Sequence, residues 1–146
     1  MDDGITARKN WMSVLAKAAP GRLAALVPEV PDHVMLRAPE IGAVMVQGRI
    51  SATGAAFNLG EMTVTRCSVR LMGGEVGHAW VQGRHKVHAT RAAIVDALLQ
   101  TAAAPSLKSG VIDVLAAEAC AARSIRAGKA AATKVDFFTL VRGEDR

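Results

Sequence analysis

Gly73-Gly74 stands between two stretches that both read as extended chain, and a dipeptide of that kind is a strong signal for a two-residue hairpin. Ahead of it, Met62, Val64, Arg66, Ser68 and Arg70 alternate with Thr63, Thr65, Cys67, Val69 and Leu71. Neither set is wholly apolar, so the pattern specifies a strand and leaves its pairing register open. Behind the glycines, EVGHAWVQG (75–83) returns as a second strand, and GAVMVQGRI (42–50) supplies one before them. The middle of the chain therefore predicts an antiparallel β-meander of three to five strands.

After Gly83 the period changes. Ile94, Val95, Leu98 and Leu99 fall on one broad stripe, which predicts a central helix. Ile5, Trp11, Met12, Leu15 and Ala19 give an N-terminal helix ended by Pro20 and Gly21, and GRLAALV adds a short second one before Pro28. Pro28, Pro31 and Pro39 punctuate a loop that leads through a short extended piece at Val34 to Leu36. SGVIDVL, around Gly110, predicts a short strand, and residues 116–134 a long alanine-rich C-terminal helix. The tail VDFFTLVRG is too apolar to be left in solvent, so Phe137 and Phe138 are expected as core or interface anchors, with Trp80 beside them in that role. A chain of 146 residues holds one domain, residues 1–146, and the expected class is α+β.

The formal charge of +5 favours anionic partners, but the cations are scattered. There is no run of five or six Lys/Arg and no aromatic interleaving for base stacking, so no nucleic-acid partner is expected. No apolar run is long enough to cross a bilayer, and MDDGITARKN lacks the apolar core of a signal peptide. Cys67 and Cys120 are far apart and form no CxxC unit. Together these features predict a soluble, cytoplasmic protein without a membrane partner.

The densest chemistry lies in HAWVQGRHKVHA, residues 78–89. On a helix beginning near Arg84, His85, His88, Ala92 and Asp96 share one stripe, as metal ligands would. No third strong ligand and no HExxH or cysteine pair accompanies them, so no metal is assigned. An anion fits as well: Gly83 permits a tight turn, the helix that follows offers unpaired N–H groups, and Arg84, Lys86 and His88 supply charge and donors. The bland alternative, a corner with solvated cations, stands level with it. Val-Gln-Gly-Arg occurs at 46–49 and again at 81–84, each time closing a strand, which adds Arg49 to the candidate anion or partner contacts. No Walker loop, GxGxxG or nucleophile elbow is present, and Cys67 reads as a buried structural thiol. No catalytic residue and no bound cofactor is assigned.

NWMSVLAKA, GEMTVTRCSVRL, GHAWVQGRHKVHATRAAIVDALLQ and KVDFFTLVRGED, in that order, resemble the PhnG subunit of the bacterial carbon–phosphorus (C–P) lyase system. The resemblance implies an accessory role in phosphonate metabolism and phosphorus acquisition, within a transferase complex that also contains PhnH, PhnI and PhnJ. Such a complex takes ATP and an alkylphosphonate, releases adenine and forms α-D-ribose 1-alkylphosphonate 5-triphosphate. The nucleosidase-like chemistry is associated with PhnI, so the chain alone is expected to be non-catalytic, with ATP a substrate of the complex. The family carries an acid where this chain has His85, and Arg84 and His88 keep the expected residue types. A homodimer, a stand-alone anion- or nucleic-acid-binding module and a purely structural scaffold remain open alternatives.

Overall fold

Three strands and five helices follow one another in the computed structural model, which describes residues 3–135. Helix α1 (Asp3–Lys17) and the short α2 (Pro20–Leu26) precede strand β1 (His33–Arg49). A turn at Ile50–Ala52 leads into β2 (Ala56–Leu71), and β3 (Val76–Gln82) completes an antiparallel sheet ordered β1-β2-β3. Helix α3 (Lys86–Leu98), a short α4 (Ala104–Leu107), a π-helical segment (Lys108–Ile112) and the long α5 (Asp113–Ala132) complete the described chain. The class is α+β, as the sequence indicates.

The sheet registers through its small residues. In β3, Gly77, Ala79 and Val81 are buried while His78, Trp80 and Gln82 face out. In β2, Thr65, Cys67, Val69 and Leu71 turn to the same inner side. Alanines on both surfaces let α3 approach closely. Ala89, Ala92, Ala93, Ile94, Val95 and Ala97 of that helix are essentially inaccessible, so α3 is a central helix enclosed on several sides. Leu15 of α1, Leu23 and Val27 at α2, and Val111, Ile112 and Leu115 close the core around it.

Four expectations change. The β2–β3 connection has a three-residue loop: Gly74 N–H donates to the Leu71 carbonyl, Leu71 N–H donates to the Glu75 carbonyl, and Gly74 sits at φ 103°. That is a turn followed by a left-handed glycine, a geometry that only the second glycine of the pair has to adopt. Second, residues 33–49 form one strand where a loop, a short extended piece and a separate strand are read from the prolines. Register shifts at Met35/Arg37 and Arg37/Glu40 absorb Pro39, and β1 is an edge strand, where a residue without N–H is tolerated. Third, Pro20 both follows α1 and opens α2, the first-turn position that its fixed φ suits. Fourth, SGVIDVL is helical. A strand would put Val111, Asp113 and Leu115 on one face; the helix buries Val111, Ile112 and Leu115 and leaves Asp113 to pair with Lys108 Nζ at 3.0 Å.

β3 covers only Val64–Arg70 of β2. Beyond that, β1 and β2 continue as a two-stranded ribbon over eight residues of β2, about 27 Å at the usual strand rise. Met45, Ile50, Phe57 and Leu59 are exposed there. Helix α5 is exposed past Ala116, with Glu118 paired to Arg22 of α2.

Candidate functional site

The β3–α3 corner is held before it offers anything to a ligand. Gly83 closes β3 at φ 90° and donates its N–H to the Thr63 carbonyl at 2.9 Å, while its own carbonyl accepts the Thr65 hydroxyl at 2.7 Å. Arg84 and His85 then lie in the loop, and α3 opens at Lys86, two residues later than the helix expected from Arg84. His85 occupies the cap position without a side-chain hydrogen bond, and no acidic residue falls in the first turn. The start of α3 thus presents N–H groups and the positive end of its dipole without a capping side chain.

A cleft of about 480 Å³ opens at this helix start, walled by Pro20 and Ala24 of the α2 region and by Arg84, His85, Lys86, Val87, His88 and Arg91. Arg84, Lys86 and His88 are thereby brought together. Arg91, one turn further on, joins them; sequence reading missed it because it sits inside a helix without a motif to mark it. Arg49 is not part of this group: its partner in the ribbon is Ala56, eight residues along β2 from the Val64 that meets the end of β3, and its Nη1 donates to the Gly54 carbonyl at 3.1 Å. Trp80 is half exposed on the outer face of β3, with the Arg66 guanidinium 5.8 Å from its ring centroid, so it is not a core anchor. Phe137 and Phe138 lie outside the described residues.

His88 is the unusual member. It is 3% exposed, and neither ring nitrogen has a hydrogen-bond partner among the described residues. Burial lowers its pKa from the ordinary 6.5; the nearby Leu15 backbone opposes this, and the charges of His85 and Arg91 add to it. The unfolded chain therefore takes up the proton at a higher pH than the folded one. The stability held by neutral His88 is complete above about pH 6.5 and is lost as pH falls below it. Melting temperatures should drop more steeply from pH 7 to pH 5.5 for the wild type than for His88→Leu; parallel slopes would remove His88 as the cause.

Asp96, the third polar member of the stripe read as possible metal ligands, is committed elsewhere. Its carboxylate, fully buried, accepts from Arg8 Nε (3.2 Å) and Nη2 (2.7 Å), from Trp11 Nε1 (2.7 Å) and from the His78 backbone N–H (2.9 Å). Among the described residues no group of three or more His, Cys, Asp or Glu is placed to hold a metal ion. Ser68 Oγ lies 2.8 Å from His78 Nδ1, but the two are cross-strand partners on the outer face of the sheet. The neighbouring carboxylate, Glu40, is engaged by Arg66 at 2.9 Å and Arg37 at 3.5 Å. Cys67 is buried against Thr90 and the Arg37 carbonyl, and burial raises its pKa, which makes it a poor nucleophile. No helix of the described residues is long and apolar enough to cross a membrane.

Among the described residues, the chain is a small α+β body with an exposed apolar ribbon and a cationic cleft at the start of α3. The chain belongs to the PhnG family, since the model for phosphonate metabolism protein PhnG matches residues 6–143. It is 44% identical over 147 residues to the alpha-D-ribose 1-methylphosphonate 5-triphosphate synthase subunit PhnG of Rhizobium meliloti (strain 1021), covering 99% of this chain and 94% of that protein.

Proposed function

We propose that the chain is the accessory subunit of a cytoplasmic C–P lyase core complex, working with PhnH, PhnI and PhnJ. In this role it is needed for, but does not itself catalyse, the conversion of ATP and an alkylphosphonate into α-D-ribose 1-alkylphosphonate 5-triphosphate and adenine. The observation that carries this reading is the match along nearly the whole chain to a relative named as a subunit of that synthase. The fold supports it physically. An isolated two-stranded ribbon is marginally stable in water, and this one displays Phe57 and Leu59, two residues apart and so on one face, at 41% and 67% exposure. A partner surface would cover them.

Purified alone, the chain should release no adenine from ATP in the presence of methylphosphonate. Co-expressed with the other core subunits, it should co-purify with them and support release. Phe57→Ser with Leu59→Ser should leave the melting temperature of the free chain within a few degrees yet abolish co-purification, and Phe137→Ala with Phe138→Ala should weaken it. Turnover by the isolated chain, or full activity of a complex lacking it, would overturn the accessory reading.

A further inference from the structure

The start of α3 gathers positive charge that no ion pair among the described residues offsets. Arg84, Lys86 and Arg91 form no ion pair among the described residues, whose pairs all lie elsewhere. No acid stands in the first turn, and His85 leaves the helix start without a side-chain cap. Two buried polar groups that line the same cleft also lack partners among the described residues: the ring nitrogens of His88 and Nε of Arg91. Buried donors are nearly always satisfied, and each orphan costs free energy that a ligand would recover. His88 and Arg91 are three residues apart on α3 and so share one face of it. The charge, the uncapped helix start and the unpartnered nitrogens are separate observations, and the residues that carry them all line the same 480 Å³ cleft, which is in the usual size range for small ligands, about 300–1,000 Å³.

We propose that this cleft is a binding site for a small phosphorylated anion, with Arg84 and Lys86 at its rim, the α3 amides and Arg91 gripping phosphate oxygens, and His88 on its wall. The cations favour more than one phosphate. Lys86 and Arg91 are separated by about 7.5 Å along the helix axis at the usual rise per residue, and Arg84 precedes the helix. Spread over that length, the three cations suit a linear polyphosphate or a diphosphate ester better than a single tetrahedral anion. The inference concerns the ligand of this chain and stands whether or not the subunit reading holds.

The test is calorimetric titration of the full-length free chain at pH 7 and 0.15 M salt with inorganic tripolyphosphate, pyrophosphate, orthophosphate and sulfate. Tripolyphosphate should bind one to one, more tightly than pyrophosphate, and both more tightly than orthophosphate or sulfate. Arg84→Ala and Arg91→Gln should each weaken tripolyphosphate about tenfold or more, the usual effect of losing a charge-assisted hydrogen bond. Arg126→Ala, on the exposed part of α5, should stay within about twofold, as expected for a distant screened charge. Should Arg91→Gln fail to fold, the exposed pair Arg84→Ala with Lys86→Ala decides, with thermal melting as the check on folding. Absence of binding overturns the proposal, as does equal loss with Arg126→Ala, which would mean diffuse charge. Preference for phosphatidic acid vesicles over soluble tripolyphosphate overturns the soluble ligand. The site-specific pattern of losses supports it.

Discussion

Gly77→Ala should remove most of the stability of this chain, although it adds one methyl group. Gly77 lies on β3 facing α3. A Cβ at that position would collide with the Ala93 carbonyl oxygen and lie 2.7 Å from the Ala97 nitrogen and 2.9 Å from its Cβ. Two of these atoms are helix backbone, so no rotamer change can relieve the contact. Either α3 moves off the sheet, or β3 shifts and disturbs its pairing with Val64–Arg70 of β2. Overpacking that side chains can absorb costs about 1–3 kcal/mol, and a clash with backbone should reach or exceed the upper end. Against a typical total of about 5–15 kcal/mol, that leaves a marginal fold or none. Gly128→Ala is the counter-test. It lies in α5 with nothing within 4 Å of the added carbon, and should stabilise by roughly 0.5–1 kcal/mol through helix propensity alone. Urea unfolding of both variants beside the wild type measures the contrast. A Gly77→Ala chain that unfolds at the wild-type midpoint would mean that α3 does not sit this close to β3.

The same glycine shows where sequence reading stopped. Period-two alternation identifies β2 and β3, but both faces of β2 mix polar and apolar residues. The deciding fact is that Gly77 and Ala79 are small because a helix lies against them, and this appears only once α3 is placed. β1 was obscured by Pro39, whose place on an edge strand is a property of the whole sheet. SGVIDVL carries the right residue types for a strand, but burial of Val111, Ile112 and Leu115 together, in a segment that packs on α1 and α2, favours a helix. At the cleft, Arg84, Lys86 and His88 were legible because a positive-φ glycine followed by a helix start is a local feature. Arg91 and the Pro20–Ala24 wall were not, since they reach the cleft through tertiary packing. The repeated Val-Gln-Gly-Arg pointed the other way: the two copies close different strands, and the first places Arg49 far out on the ribbon.

Asp96 was visible in the sequence only as a polar residue on a helical stripe. Its partners explain why its loss should rival that of Gly77. All four groups that touch the carboxylate are donors: two N–H groups of Arg8, which is 88 residues away, the Trp11 indole and the His78 amide. They join α1, α3 and β3 at one fully buried point. Asp96→Ala strands them together, and removing one member of a buried ion pair costs about 3–5 kcal/mol. The Arg8 side chain is one-third exposed, so water recovers part of that for the guanidinium but not for the buried amide. Asp96→Asn is the sharper variant. It keeps the volume and one acceptor, but its NH₂ must face a donor whichever way the amide is turned. It should therefore cost nearly as much as Ala, at least about 2 kcal/mol, since buried donors left without an acceptor lose about 1–3 kcal/mol each. Trp11→Phe deletes one donor and leaves the other three satisfied, so its cost should be about half as large. Urea unfolding at pH 7 measures all three, and a double-mutant cycle between Arg8→Met and Asp96→Asn isolates the pair, with a coupling of 0.5 kcal/mol or more expected for groups in direct contact. A cost below about 1 kcal/mol for Asp96→Asn would mean that the three elements are held together by apolar packing alone.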